Sequence, residues 1–264
     1  MNLSIIIPIY NSEKIIPILT NKIKNNLKKK IKKFEIILVN DHSIDKSWIT
    51  IKKTSKRNSF IKGINLLKNF GQHNAIMAGL NHSVGKNIIL MDDDMQHSPE
   101  DIFKIYQNLI KGYDACYVKY INRQHAKWKI FVSWLNNIVA SILALKPIDL
   151  YTSSFKGFKK KIRSKIIKNK QNKIFIDWLV LYNSKKIKTI NVIHKKRYSG
   201  ATNYNLRRLL KLWSIMAITI IPKNIMHRLI LILPKFLIRI IILSFVDEDK
   251  KEKKQYIISE KTFN

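Results

Sequence analysis

The chain has 264 residues, 46% of them hydrophobic, enough for one large domain or a domain with an appendage. Its 50 lysines and arginines against 17 aspartates and glutamates give a formal net charge of +33. That excludes indifference to polyanions and leaves nucleic acid, an anionic membrane or phosphorylated substrates as partners. The hydrophobic content excludes a disordered basic tail, and the single cysteine, Cys116, excludes a disulfide framework and a Cys-rich zinc site.

The apolar run Ser4–Ile9 is too short for a signal-peptide core and has no basic flank, so it reads as a first strand. Short β-branched runs follow at intervals, predicting strands over Leu3–Ile9, Phe34–Val39, Ile61–Leu67, Asn87–Met91 and Ala115–Tyr120. Amphipathic stretches near 13–28, 45–55, 73–83 and 99–110 predict helices between them. This alternation predicts an α/β fold, a mainly parallel sheet flanked by helices, in which ligands bind at the carboxyl ends of the strands.

The residues after those strands are polar: Tyr10-Asn11-Ser12-Glu13, Asn40-Asp41-His42-Ser43, Lys68-Asn69-Phe70-Gly71-Gln72-His73, and Asp92-Asp93-Asp94-Met95-Gln96-His97. Any one of them could be a capped turn. Four at the same sheet edge make a site. Asp92-Asp93-Asp94 is the densest negative charge in a positive protein. Adjacent carboxylates repel unless a cation neutralises them, and hard oxygen ligands suit Mg²⁺ or Mn²⁺ with phosphates completing the shell. Ser98-Pro99-Glu100-Asp101 reads as the start of the helix that follows. None of the seven histidines is paired at zinc-ligand spacing on one helix.

Residues 101–200 carry 22 basic and 4 acidic side chains, so the middle third is where a polyanion is expected to sit. The joint abundance of Lys, Ile and Asn also fits an AT-rich genome that writes lysine into surface positions. Further on, Leu206, Leu209, Leu210, Trp213, Ala217 and Ile220 fall at helical spacing, with Arg207, Arg208 and Lys211 off the stripe. Such a helix suits an anionic interface or docks on the protein's own core. Over Leu229–Val246 the apolar residues contribute about −6 kcal/mol to insertion, and Lys235 and Arg239 offset it by about +6. Pro234 disfavours a straight span. An interfacial or re-entrant hairpin on the cytoplasmic face is the expectation, and residues 247–264 read as a charged tail.

Five stretches in order resemble the family 2 glycosyltransferases with a GT-A fold, in particular the polyprenyl-phosphate sugar transferases. They are Ser4 to Glu13, Val39 to Asp45, Asn69 to Leu80, Met91 to Glu100 and Arg197 to Tyr204. The resemblance covers roughly residues 3–210. It implies a GT-A catalytic domain over 1–204; the membrane-associated segment over 205–246 rests on the residue pattern above, which departs from the long C-terminal pair of membrane helices common in bacterial relatives. Three positions depart from the pattern. His42 stands where the family usually has Gly, so that turn is expected not to depend on glycine. Asp93 stands for Ala, and Asn203 for Lys.

The resemblance implies a nucleotide-sugar site formed by Pro8, Tyr10, Asn11, Glu13, Asp41, Ser43, Gly71, Asp92 and Asp93. It implies a divalent cation on Asp92 and Asp94 with Gln96 adding a contact, and inversion at the anomeric carbon. A lipid monophosphate acceptor needs cations, and Arg123, Lys156 and Arg197 are the candidates. A sugar-hydroxyl acceptor, in a surface polysaccharide or glycolipid, needs a carboxylate base, and Asp149 or Asp177 is the candidate. Asp94 and Arg197 stand closest to the chemistry in either case. Nucleic acid is the least favoured partner, because no interleaved basic and aromatic motif accompanies the charge. Oligomeric state is not legible.

Overall fold

Leu3–Ile9 forms the central strand β1 because nearly every side chain in it can be buried. Leu3, Ile5, Ile7 and Ile9 point to one helical layer and Ile6 to the other, following the period of two. The computed structural model describes residues 1–121, 153–169, 175–193 and 255–263. After β1 come α1 (Ile15–Leu27), β2 (Phe34–Asn40), α2 (Ser47–Arg57), β3 (Ile61–Leu66), α3 (Gln72–His82), β4 (Asn87–Leu90), α4 (Pro99–Ile110) and β5 (Ala115–Ile121). The later elements are β6 (Lys156–Lys159), α5 (Lys160–Ile166), α6 (Ile176–Tyr182), β7 (Ile187–Ile193) and β8 (Ile258–Lys261).

The eight strands form one sheet in the order β7-β5-β6-β4-β1-β2-β3-β8. β1 pairs in parallel with β2 and β4, β2 with β3, and β5 with β7, whereas β6 and β8 are antiparallel to their neighbours. One core lies between the sheet and α1 and α4, the other between the sheet and α3, α5 and α6. The five expected strands and four expected helices all form, with ends shifted by a residue or two.

Three strands, β6, β7 and β8, lie beyond the five expected, and the residues of β6 and β8 do not look like those of a strand in a sheet. β6 is Lys156-Gly157-Phe158-Lys159, yet it is wedged between β4 and β5. A Cβ on Gly157 would lie 2.5 Å from Ile105 of α4, so only glycine lets that helix come so close. β8 lies within the stretch expected to be a charged tail, and this corrects that expectation. It pairs with the edge strand β3, the Gly63 N–H donates to Thr262 Oγ1 at 2.8 Å, and the Trp48 indole N–H donates to Glu260 at 2.6 Å. An open edge seeks a partner, and this short polar strand fills the place. The segments expected at 204–220 and 229–246 lie outside the described residues, among which no helix is long and apolar enough to cross a membrane.

Candidate active site

The chain reverses its direction of travel across the sheet between β1 and β4, and at such a switch point the loops diverge and leave a crevice. β4 stays in register with β1 only as far as Ile6 and Leu90. Pro8 follows, where a missing N–H costs no bond to β4. Beyond it opens a cleft of about 440 Å³, walled by Pro8, Tyr10, Asn11, Ser12, Asp41, Asn69, Gly71, Gln72, Asp92, Asp93 and Asp94. Four aspartates thus face one hollow in a protein of net charge +33.

The backbone around the cleft is held in costly conformations. Asn11, His42 and Met95 have φ of 55°, 58° and 63°, and Gly71 has 86°. The left-handed region costs a residue with a Cβ about 1–2 kcal/mol. The turn at His42 therefore has the shape a glycine favours, which corrects the expectation that it had become independent of glycine.

Each acid has a distinct setting. Asp41 accepts the N–H groups of Phe70 and Gly71 at 2.8 and 2.9 Å, which ties the end of β2 to the loop before α3. Burial raises its carboxyl above the ordinary value, and those two bonds work against the rise. Asp93 turns toward β1, taking the Tyr10 N–H at 3.2 Å and the Ser12 hydroxyl at 2.6 Å. Burial, with Asp92 and Asp94 beside it, pushes its carboxyl up to about 6 despite those bonds. Asp92 is gripped from two sides: Gln72 Nε2 donates to Oδ1 at 2.7 Å, and His97 Nε2 lies 3.4 Å from Oδ2. Burial would raise Asp92, but His97, the Ser154 hydroxyl and Lys156 outweigh it and hold the group below the ordinary carboxylate value. Asp94 accepts the Gln96 N–H at 3.0 Å.

Next to the cleft, on the β5–β6 side, Lys156 is buried and donates to Asp177 at 2.7 Å and to the Ser153 carbonyl at 2.8 Å. His73, from the first turn of α3, stands edge-on to Phe175, and burial lowers its pKa.

Of the expected donor-site residues, Pro8, Tyr10, Asn11, Asp41, Gly71, Asp92 and Asp93 line the cleft together with Asp94. Glu13 and Ser43 stand behind that wall as braces. Glu13 accepts the Lys46 N–H at 2.9 Å, and Ser43 Oγ accepts the Asn11 N–H at 3.0 Å. Lys156 and Asp177, expected to act separately on the acceptor, are instead each other's partners. Arg123, Asp149 and Arg197 lie outside the described residues. Sequence reasoning missed Ser12, Asn69 and Gln72 as wall residues, although all three lie inside the motifs quoted at strand ends, and missed Tyr120 and Ser154 as neighbours of His97. Among the described residues no three His, Cys, Asp or Glu side chains form a ready-made metal cage. Two carboxylates beside a hollow fit a cation that takes its remaining ligands from substrate phosphates and water.

Residues 4–190 match the family model described as Glycosyl transferase family 2. The chain belongs to this family. Among curated relatives, this family 2 chain is 31% identical over 212 residues to the undecaprenyl-phosphate 4-deoxy-4-formamido-L-arabinose transferase of Pectobacterium atrosepticum. The enzyme of the same name from Photorhabdus laumondii is 31% identical over 210 residues. The matches cover 80% and 79% of this chain and 65% of each relative, so the chain spans just under two thirds of their length. Solved structures share the fold. TarS 1-349 of S. aureus, in complex with UDP-GlcNAc, gives a TM-score of 0.54 at 19% identity, covering 82% of this chain and 66% of that one. Glucosyl-3-phosphoglycerate synthase of Mycobacterium tuberculosis, in complex with Mn²⁺ and UDP-glucose, gives 0.58 at 12% identity, covering 84% and 80%. The sheet of this family 2 chain is accordingly of the GT-A type.

Proposed function

We propose that this chain transfers a sugar from a nucleotide-sugar donor to a polyprenyl phosphate, such as undecaprenyl phosphate, with inversion at the anomeric carbon. The observation that carries the reading is the aspartate-walled cleft at the β1/β4 switch point, in a chain similar to transferases named for undecaprenyl phosphate. Asp41, Tyr10, Asn11 and Pro8 bind the nucleoside, and Glu13 and Ser43 hold their loops in place. Asp92 and Asp94, with Gln96 alongside, hold a divalent cation, Mg²⁺ or Mn²⁺, which when bound neutralises charge on the departing diphosphate.

The acceptor side favours a phosphate over a sugar hydroxyl. A lipid monophosphate is already anionic near pH 7 and attacks without losing a proton, whereas a hydroxyl needs a base. Asp177 Oδ1 is 2.7 Å from the buried Lys156 ammonium, so that oxygen is engaged by a cation rather than turned to an acceptor hydroxyl. Arg123 and Arg197 are then the cations for the acceptor phosphate, and Lys156, buried and already paired with Asp177, holds that side of the site together.

The same reading brings the carboxyl edge of the sheet to the cytoplasmic face of the membrane. β7 ends at Ile193 on this edge, and the Leu67 N–H donates to the Ile257 carbonyl where β8 enters on the same edge. The described structure therefore ends at Ile193 and resumes before β8 on the side of the cleft. Exposed Tyr10, Ile44, Leu67 and Ile193 lie there as well. Washed membranes containing the protein, given labelled nucleotide sugars and undecaprenyl phosphate, should place label in the lipid-phosphate fraction. Label that reaches only glycan hydroxyls, or that never leaves any donor, would overturn the proposal.

A further inference from the structure

His97 lies outside the cleft wall, yet it touches both halves of the site. Its ring is 4% exposed and stacks on Phe155 at 4.9 Å and on Tyr120 at 5.7 Å. Nδ1 is 2.7 Å from the Tyr120 hydroxyl, and Nε2 is 3.4 Å from both Asp92 Oδ2 and Ser154 Oγ. One neutral tautomer serves all three contacts: the Tyr120 O–H donates to Nδ1, and the Nε2 hydrogen is shared between the Asp92 carboxylate and the Ser154 hydroxyl. Tyr120 belongs to β5, Asp92 follows β4, and Ser154 precedes β6. One ring therefore joins three separate segments at the carboxyl edge.

Asp92 needs such a holder. It sits in an unpaired stretch after β4, beside two more carboxylates that repel it, and Gln72 fixes only Oδ1. Without His97 the other oxygen could swing about the side-chain torsion. Partners of this kind behind a ligand set its orientation, and their loss typically weakens metal binding by roughly 10–100-fold.

We propose that His97, oriented by Tyr120, is a positioning residue that fixes Asp92 for the cation and its diphosphate and keys it to the Ser154 segment on the acceptor side. The proposal rests on the cation-binding part of the function proposed above. Neither the Asp-Asp-Asp run nor the spacing of Gln96 and His97 assigns a role to Tyr120, which lies 23 residues beyond His97.

The test is Mn²⁺ binding to the full-length protein with inorganic pyrophosphate supplying the phosphate oxygens, read by electron paramagnetic resonance. Tyr120→Phe removes one hydroxyl and keeps the stacked ring, so folding is preserved. It should weaken Mn²⁺ binding about tenfold with an unchanged melting temperature. His97→Phe should weaken it further, His97→Gln should restore part of the loss, and Tyr120→Phe should add nothing in the His97→Phe background. Wild-type binding that is equally tight in Tyr120→Phe and His97→Phe would overturn the positioning role and leave the proposed function standing. Should His97→Phe fail to fold, Tyr120→Phe alone decides. A wild-type protein that binds no Mn²⁺ would overturn both.

Discussion

The two edges of the sheet each carry a carboxylate held by several side chains, one buried and one at a cleft, and they use it in opposite ways. At the amino edge, Glu35 is fully buried, accepting the Ser4 hydroxyl at 2.5 Å and the Val84 N–H at 2.9 Å, with Lys62 at 2.8 Å. Its partners come from β1, β3 and the turn before β4, and it closes that edge. At the carboxyl edge, Asp92 has side-chain partners on both oxygens, beside two further acids and an open cleft. A carboxylate surrounded by its own donors and a lysine is complete and serves the fold. Three carboxylates massed beside a hollow are incomplete, and their repulsion is relieved only by something that binds.

That contrast can be broken experimentally. The largest effect is expected from Asp94→Asn at the carboxyl edge: turnover should fall by about a thousandfold or more, about 4 kcal/mol of transition-state stabilisation, with little change in unfolding temperature. Near-normal turnover would refute the assignment. Glu35→Ala should do the reverse. Leaving Lys62 and the Val84 N–H without their partner should cost about 3 kcal/mol in urea unfolding, while turnover per folded molecule stays within about twofold.

Asp93 gives a smaller effect that depends on pH. Its folded pKa of about 6 lies above the ordinary value of 3.8, so between those values the folded state holds a proton that the unfolded state has lost. Stability of the metal-free protein should therefore fall as pH rises through that window and stay lowered above it. Asp93→Asn keeps an acceptor for Tyr10 and Ser12 and carries no charge. It should be more stable than the wild type by about 1–2 kcal/mol at pH 7.5, with the two converging near pH 4. A gap independent of pH would show that burial of the charge is not the cause. The smallest effect is expected from His42→Gly, which should stabilise by about 1 kcal/mol by relieving the left-handed backbone, measured as a raised melting temperature.

The sequence alone determined the strand and helix alternation of residues 1–121, because those runs bury both faces or one stripe, and the period of burial is written in the residues. It also placed Tyr10, Asp41, Gly71 and the Asp92–Asp94 run together, because strand ends of a parallel sheet share one edge. Only the tertiary structure separated these acids by the groups they meet across the fold: Glu13 stands behind the cleft wall on the Lys46 N–H, whereas Asp41, Asp92, Asp93 and Asp94 line the cleft. It alone showed that Lys156 and Asp177 neutralise each other, that Tyr120 reaches His97, and that Ile258–Lys261 is a strand. Those outcomes depend on contacts between residues from 21 to nearly 200 positions apart, which no local pattern of charge or hydrophobicity encodes.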